Sequence, residues 1–188
     1  LHKEYRRQRQ MCIRDRLSLV PPMEIVDLGA GEGHLSQWMA RRAKRVIAVD
    51  NSERMVEYGG TLARENGMTN LEYRLGEMEN PPVEEGSVDL VLISQALHHA
   101  VNPVRVLQAA FRILREGGRV VVLDLLAHTF EQARELYADV WLGFTEAALW
   151  GFLEEAGFGE VEVGVVSKDE SNPIFQTVHA TAVKRLKV

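Results

Sequence analysis

The chain has 188 residues and a net charge of −5; 46% of its residues are hydrophobic and 26% are charged. This composition is typical of one globular domain with a sizeable core, and the acidic balance argues against nucleic acid as its partner. The single cysteine, Cys12, excludes an internal disulfide framework and a multi-cysteine metal site. Since no apolar run approaches membrane-spanning length and no secretory signal is visible, we expect a cytoplasmic protein that does not bind a membrane.

The beginning of the chain differs in charge from the rest, because residues 1–16 contain six basic and two acidic side chains. One interpretation is a basic arm that binds nucleic acid. However, residues 11–16 read M-C-I-R-D-R, which resembles the translation of an adaptor used in sequencing libraries. We therefore expect residues 1–16 to be a non-native or disordered tail and residues 17–188 to form the folded domain.

The first predicted strand, about residues 24–28, leads into a glycine loop that reads D-L-G-A-G-E-G and then into a helix predicted over residues 32–43. Glycines allow positive φ and close approach of a ligand, and a helix N-terminus favours a negative or electron-rich group. A dinucleotide fingerprint would have its third glycine where His34 stands. Asp27, at the strand end, disfavours pyrophosphate but suits an ammonium group.

A second acid, Asp50, closes the next predicted strand, which spans residues 45–50. It lies about twenty residues beyond the glycine loop, where a carboxylate can accept hydrogen bonds from both ribose hydroxyls of an adenosine. The alternative role of Asp50 is to cap the following helix, predicted over residues 53–65. Ser52 fits that capping role better.

The remaining segments continue the alternation of strands and helices. This pattern predicts an α/β fold, a three-layer doubly wound (Rossmann-like) sheet of seven strands that is mostly parallel with an antiparallel last strand. The predicted strands lie at 71–75, 87–94 and 119–124, with two antiparallel strands at about 160–166 and 175–184. A helix at 102–115 has Asn102 as its predicted cap, helical turns lie within 128–142, and a further helix opens with Thr145 as its predicted cap. A turn at 171–173 joins the last two strands.

The glycine loop resembles the first motif of the class I S-adenosylmethionine-dependent methyltransferases, which ends D-x-G-x-G-x-G. Residues 89–99 read D-x-V-x-x-x-x-x-L-H-H, which is similar to the small-molecule branch of this family, and residues 113–124 form another stretch typical of it. The resemblance covers roughly residues 24–184. It implies methyl transfer from S-adenosylmethionine to a small-molecule acceptor, with 17–188 as the methyltransferase domain.

The chain also resembles methyltransferases that are fused behind a winged-helix repressor of the ArsR type. A fused N-terminal winged-helix domain that is missing from this chain is therefore a further expectation. The residues at hand contain no recognisable recognition helix, so we expect no nucleic acid to bind this domain. Arsenic methylation is disfavoured, because such a soft centre needs thiolate ligands.

In this family the first acid and the glycine loop hold the amino-acid end of the cofactor. The second acid holds the ribose, and an acid after the third strand contacts the adenine amino group. Here that third acid is Glu77, one methylene longer than the common Asp, and Met78 can pack on the adenine face. The resemblance implies that the cofactor-binding residues are Asp27, Gly29, Ala30, Gly31, Gly33, Asp50, Asn51, Met55, Glu77, Met78, Ser94 and Gln95.

His98 and His99 are the candidate catalytic residues, because residues just past the fourth strand face the acceptor in this family. They can orient the acceptor or take its proton, since a histidine titrates near neutral pH. The alternative is that one of them caps the next helix or fills the core. Adjacent histidines rarely point at one ion and no third ligand lies nearby in sequence, so we expect no metal site.

Two other classes of function remain open at the level of sequence. One is a non-catalytic S-adenosylmethionine-binding sensor domain of a transcriptional regulator. The other is a nicotinamide-dependent oxidoreductase, because a glycine loop after a strand also occurs in that class. Cofactor binding without turnover would indicate the sensor, and binding of NADH would indicate the oxidoreductase.

Overall fold

A computed structural model of the protein describes residues 22–167 and 176–185. The expected tail at 1–16 and the predicted turn at 171–173 lie outside the described residues. Within those ranges the strands form one seven-stranded sheet in the order β3-β2-β1-β4-β5-β7-β6. Its strands are β1 (Glu24–Leu28), β2 (Arg45–Asp50), β3 (Leu71–Leu75), β4 (Val88–Ser94), β5 (Leu114–Leu125), β6 (Gly159–Ser167) and β7 (Thr177–Val183).

Helices connect the strands and cover the two faces of the sheet. They are α1 (His34–Ala40), α2 (Glu53–Glu65), α3 (Pro103–Ile113), α4 (Ala133–Tyr137) and α5 (Glu146–Glu155), together with a 3₁₀ turn at Leu97–His99. The predicted caps are confirmed, since Ser52, Asn102 and Thr145 each accept a backbone N–H at the start of their helix.

Strand direction follows the prediction. β1 pairs in parallel with β2 and β4, β2 pairs in parallel with β3, and β4 pairs in parallel with β5. β7 runs antiparallel to both β5 and β6. The doubly wound fold with a reversed last strand is therefore confirmed. Because β1 to β5 are parallel, their carboxyl ends lie along one edge of the sheet.

The core is split by the sheet into two clusters of buried side chains. The larger cluster joins α3 and α5 to one face of the sheet and includes Leu107, Ile113, Phe144 and Leu149. The smaller cluster joins α1 to the other face and includes Met39 and Leu92. Burial of both faces explains why the central strands are almost entirely apolar.

Three predicted elements differ from the structure. The helix predicted at 32–43 is only α1 (His34–Ala40), because Gly33 takes φ 75° before it and Arg41 ends it. β5 begins earlier than residue 119, since Leu114 already pairs with Val88. The register between the two strands then shifts, so that Leu90 pairs with Arg119.

The third difference concerns residues 128–142, which were predicted as two or three helical turns. Only α4 is helical there, and Ala138 ends it in the left-handed conformation, with φ 59°. The segment that follows α4 forms tertiary hydrogen bonds instead of helical ones. The N–H groups of Val140 and Trp141 both donate to the carbonyl oxygen of His98, at 3.1 and 3.0 Å. Tertiary contacts therefore override the local helical periodicity.

The opposite edge of the sheet, where β1, β4 and β5 begin, is stabilised by ion pairs. Asp89 accepts the N–H of Glu24 at 2.7 Å and the guanidinium of Arg115 at 2.8 Å. Arg115 also pairs with Glu24 at 3.3 Å. The acid that begins the L-H-H motif therefore has a structural role, since it joins β1, β4 and the start of β5. Within residues 22–167 and 176–185, no helix is long and apolar enough to cross a membrane.

Candidate active site

The glycine loop, residues 29–33, is fixed to the end of the neighbouring strand β2. The N–H groups of Gly29 and Ala30 both donate to the carbonyl oxygen of Val49, at 2.8 and 3.1 Å. Gly29, Gly31 and Gly33 all take positive φ, as the motif requires. These backbone contacts leave the loop lying across the carboxyl ends of β1 and β2.

Asp50 joins the glycine loop to the start of α2 through its carboxylate. Oδ2 accepts the N–H of Gly31 at 2.8 Å, and Oδ1 accepts the N–H of Ser52 at 2.9 Å. Ser52 is the helix cap, since its hydroxyl accepts the N–H of Met55 at 3.4 Å. Each carboxylate oxygen has a second lone pair, so Asp50 retains the capacity to accept hydrogen bonds from a diol.

Gly29 is packed too closely for any other residue. A Cβ built on it would lie 2.4 Å from the Cβ of Ala96 and 3.2 Å from the Sδ of Met78. The structure therefore brings Met78, after β3, and Ala96, after β4, to the glycine loop. The role expected of Met78, packing on the adenine face, stays a prediction.

Asp27 lies buried under the glycine loop, with only 2% of its surface exposed. Its Oδ2 accepts the hydroxyl of Ser36 at 2.5 Å. Burial raises the pKa of Asp27 to about 6, against the hydrogen bond from Ser36, which lowers it, and the nearby charge of Asp50 raises the pKa further. The charged form of Asp27 is therefore less favourable than that of an exposed aspartate, and an approaching cation would favour it.

Tyr73 completes the polar cluster under the loop. A Cβ on Gly33 would lie 1.4 Å from its hydroxyl oxygen, and one on Gly59 would lie 2.3 Å from its ring. Burial raises the pKa of Tyr73 to about 12, and the negative charge of Asp27 adds to this effect. The phenol therefore stays neutral near pH 7. Sequence reasoning missed this residue; Gly59, a glycine inside a helix, was the available signal of its close packing.

Asn51 and Glu77 meet at the outer end of the site, although they are far apart in sequence. The side-chain amide of Asn51 donates to Glu77 Oε2 at 3.3 Å. Both residues are exposed to solvent, so they lie at the edge of the site rather than at its buried floor.

Gln95 directly follows Ser94, the last residue of β4, and adopts φ 55°. Its backbone N–H and its side-chain amide both donate to the carbonyl oxygen of Leu123, at 2.8 and 3.3 Å. Gln95 is therefore held toward β5, whereas Ala96 reaches the glycine loop. The left-handed conformation at Gln95 makes this change of direction between successive residues.

His98 is a buried side chain held by a buried acid. Its Nδ1 lies 2.5 Å from Oδ1 of Asp124, the penultimate residue of β5. Oδ2 of Asp124 also accepts the N–H groups of Leu97 and His98, at 2.9 and 3.3 Å, and Oδ1 accepts that of Leu125 at 2.7 Å. Asp124 thus fixes both the imidazole and the turn that carries it.

His99 is exposed, and its ring lies 4.0 Å from that of His98 between centroids. Burial of part of the ring lowers the pKa of His99, and the neighbouring His98 lowers it further. Asp139 faces both histidines, with its Oδ1 3.5 Å from Nε2 of His98 and 3.8 Å from Nδ1 of His99. The two candidate catalytic residues therefore belong to a cluster with two acids.

Neither acid of this cluster was a predicted site residue. Asp124 lies at the end of a buried strand, as Asp27 and Asp50 do, so its position is a signal that sequence reasoning could have used. Asp139 lies in a segment whose pattern predicts helix, and no sequence signal connects it to residues some forty positions earlier.

A doubly wound sheet in this strand order, with a glycine loop after β1 and an acid at the end of β2, has the fold of a class I S-adenosylmethionine-dependent methyltransferase. A family model described as a methyltransferase domain matches residues 26–122. The chain belongs to this methyltransferase family.

Several characterised proteins are similar in sequence. An arsenite methyltransferase from Halobacterium salinarum is 31% identical over 163 residues, which cover 82% of this chain and 41% of that protein. A demethylmenaquinone methyltransferase from Lactococcus lactis is 34% identical over 129 residues, which cover 65% of this chain and 51% of that protein. The chain thus spans about half or less of the length of these relatives.

Solved structures share the fold at low sequence identity. The YcgJ protein of Bacillus subtilis superposes with a TM-score of 0.78 at 16% identity, covering 96% of this chain and all of that one. A geranyl diphosphate C-methyltransferase from Streptomyces coelicolor, in complex with S-adenosylhomocysteine, gives a TM-score of 0.82 at 17% identity, covering 98% of this chain and 82% of that one.

The residues present fit S-adenosylmethionine, the cofactor of this family. A Cβ on Gly31 would meet no atom within 4 Å, so the loop has open space above it for a ligand. Asp27 offers a carboxyl group to an ammonium, and Asp50 offers both oxygens to a diol. Met78 and Ala96 both lie next to Gly29 and add apolar surface to the glycine loop.

Substitution of two glycines in the loop is expected to separate packing from ligand binding. Gly33→Ala forces a Cβ onto the Tyr73 hydroxyl at positive φ, so we expect it to lower the free energy of unfolding by about 2–4 kcal/mol. Gly31→Ala meets open space and should cost about 1 kcal/mol from its positive φ alone. It should nonetheless weaken S-adenosylhomocysteine binding about tenfold, since its Cβ fills the space above the loop. Urea denaturation and calorimetry measure the two effects; equal destabilisation by both variants would contradict this account.

Asp27→Asn is expected to raise the free energy of unfolding of the ligand-free protein at high pH. The same substitution is expected to weaken cofactor binding. The folded state raises the pKa of Asp27 from 3.8 to about 6. The neutral form of Asp27 therefore contributes to the stability of the folded state below pH 3.8, the pKa in the unfolded chain. This contribution is lost as the pH rises through about 6, the pKa in the folded protein. Asn keeps the acceptor for Ser36 and carries no charge. We expect a gain of about 1–3 kcal/mol at pH 8 that shrinks toward pH 4, measured by urea denaturation. Exposed Glu154→Gln is the control, and a less stable Asp27→Asn protein at pH 8 would count against the assignment.

Proposed function

We propose that this chain transfers the methyl group of S-adenosylmethionine to a small-molecule acceptor. One observation carries the proposal: the acids, the glycine loop and the histidine turn follow the carboxyl ends of β1, β2 and β4, which are neighbours in the sheet. Ligands of doubly wound folds bind at this edge.

Each predicted cofactor residue has a role that its position supports. The cluster around Asp27 receives the ammonium end, and Asp50 receives the ribose hydroxyls. Asn51 and Glu77 border the adenine, with Met78 beneath it. Met55, in the first turn of α2, and Ser94 and Gln95, at the end of β4, complete the proposed set.

When bound, S-adenosylmethionine supplies an electrophilic methyl group on its sulfonium. The protein mainly holds the nucleophile in line with that methyl group at near-attack distance. His98 and His99 serve the acceptor, because the turn that carries them follows directly on Ala96, which contacts the glycine loop. His98 is fixed by Asp124, and His99 is exposed to an incoming acceptor.

Aromatic side chains at the end of α4 and after it offer a wall for the acceptor. Trp141 donates its indole N–H to the carbonyl oxygen of Ala100 at 3.0 Å and packs against Phe144 and Phe152. It remains 37% exposed, and Tyr137 remains 44% exposed. An acceptor with an apolar or aromatic part would fit beside these rings. Arsenite is disfavoured as the acceptor, since the described residues contain no cysteine.

Substitution of Asp50 tests the cofactor site. Asp50→Asn removes the charge and one acceptor oxygen, so we expect it to weaken S-adenosylhomocysteine binding by about 10- to 100-fold in titration calorimetry. Glu53→Gln, an exposed acid three residues later, is the matched control. Binding of NADH by the unmodified chain, with no binding of S-adenosylhomocysteine, would instead support an oxidoreductase.

Substitution of the histidines tests the acceptor side. His98→Ala and His99→Ala should each lower kcat about 100-fold or more while leaving the Kd of S-adenosylhomocysteine unchanged. Formation of S-adenosylhomocysteine across a panel of hydroxyl, thiol and amine acceptors measures turnover. Tight cofactor binding without turnover on any acceptor would favour the sensor domain, and a loss of cofactor binding in either variant would remove these residues from the acceptor side.

A further inference from the structure

A group of three possible metal ligands lies beside the cofactor site and is not needed for cofactor binding. It consists of His98, His99 and Asp139, whose ligand atoms all lie within 4.8 Å of one another. We propose that this histidine–aspartate cluster binds a divalent transition-metal ion, with Zn²⁺ as the best fit. Two imidazoles and one carboxylate are donors that zinc favours, whereas magnesium and calcium prefer oxygen alone.

Two of the separations within the cluster are close to those of ligands around one ion. Oδ1 of Asp139 lies 3.5 Å from Nε2 of His98 and 3.8 Å from Nδ1 of His99. These separations are at or beyond the limit of a hydrogen bond. With metal–ligand bonds of about 2.0–2.1 Å, two ligands of a tetrahedral ion lie about 3.4 Å apart, and two adjacent ligands of an octahedral ion lie about 3.0 Å apart. These two separations are therefore closer to tetrahedral than to octahedral spacing.

Asp139 supplies an independent observation that a group belongs there. Its surface is only 5% exposed, and Oδ1 has no hydrogen-bond partner among the residues that the structure describes. A buried carboxylate oxygen without a partner is costly and rare in native structures. A cation between Asp139 and the two histidines would satisfy it.

Asp124 prepares His98 as a ligand. Because Nδ1 of His98 donates to Asp124, the tautomer assigned by this network has its lone pair on Nε2, on the side of Asp139. A carboxylate behind a ligating histidine is the usual arrangement at zinc sites. Nδ1 of His99 also lies 3.3 Å from the carbonyl oxygen of Ala138, a long contact that the ion would replace.

The fold holds the third ligand in place. The segment after α4 is tied to the histidine turn by the N–H groups of Val140 and Trp141, which donate to the carbonyl oxygen of His98, and by the indole of Trp141 on Ala100. Asp139 lies just before these contacts. Sequence reasoning predicts no metal site because it finds no third ligand near the two histidines, whereas Asp139 lies about forty residues further along the chain.

Three protein ligands leave one tetrahedral position open, as at catalytic zinc sites. The role of this position rests on the proposed function: it would take the oxygen or sulfur of an acceptor that carries an ionisable hydroxyl or thiol. The acceptor loses its proton to water, and its lone pair then forms the new bond to the methyl carbon. The bond from that carbon to the sulfonium breaks, and sulfur keeps the electron pair.

Cobalt(II) is the probe for the site, because its visible absorption is intense only when it is four-coordinate. We expect the chelator-treated full chain to bind one Co²⁺ with four-coordinate absorption, and Zn²⁺ to displace it. Asp139→Asn and His99→Ala should each weaken Co²⁺ binding at least tenfold, and Asp124→Asn should weaken it by about 10- to 100-fold through His98. His34→Ala is the matched control, since His34 is an exposed histidine paired with Glu32 instead.

Each outcome bears on the inference. Absence of four-coordinate Co²⁺ absorption, or an equal loss of affinity in His34→Ala and His99→Ala, would overturn it. His99 is exposed, so its variant remains informative if Asp139→Asn does not fold, which thermal unfolding would reveal. Titration of S-adenosylhomocysteine into the same chelator-treated sample tests the cofactor site separately. Full methyl transfer after chelation would overturn the role of the ion toward the acceptor while leaving the proposed function intact.

Discussion

An aspartate at the end of one parallel strand holds the turn that follows the neighbouring strand, and the site depends on this interaction twice. Asp50, at the end of β2, accepts the N–H of Gly31 in the loop after β1. Asp124, near the end of β5, accepts the N–H groups of Leu97 and His98 in the turn after β4. Parallel pairing places each acid beside the next turn, so both halves of the cleft are held by the sheet itself.

This arrangement has an electrostatic consequence for the floor of the site. Asp27, Asp50 and Asp124 bring several carboxylates to one edge, and Asp27 has its pKa raised to about 6, chiefly by burial. A positively charged ligand relieves that cost, which is the physical reason why an ammonium group and a sulfonium suit this edge. The same principle applies at Asp139, where a buried carboxylate faces two imidazoles. In the proposed sites, the ligand-free protein would thus be less stable than it could be, in return for the capacity to bind cations.

Local signals in the sequence were sufficient for much of the fold. The apolar runs at β1, β2 and β4, the D-x-G-x-G-x-G loop and the caps at Ser52, Asn102 and Thr145 were predicted correctly. They depend on periodicity and on glycine or capping chemistry, which act over a few residues. The sequence also predicts that Asp27, Asp50 and Met78 belong to one site, because the ends of the parallel strands of a doubly wound sheet meet at one edge.

The sequence by itself determined the alternation of strands and helices, the glycine loop and the acids at the ends of buried strands, because each of these features depends on residues that are close together in sequence. Only the tertiary structure decided that Tyr73 lies under Gly33, that Asp124 holds His98, and that Asp139 reaches both histidines. Residues 138–141 form hydrogen bonds to the histidine turn rather than continuing a helix, and local periodicity contains no information about a partner forty residues away.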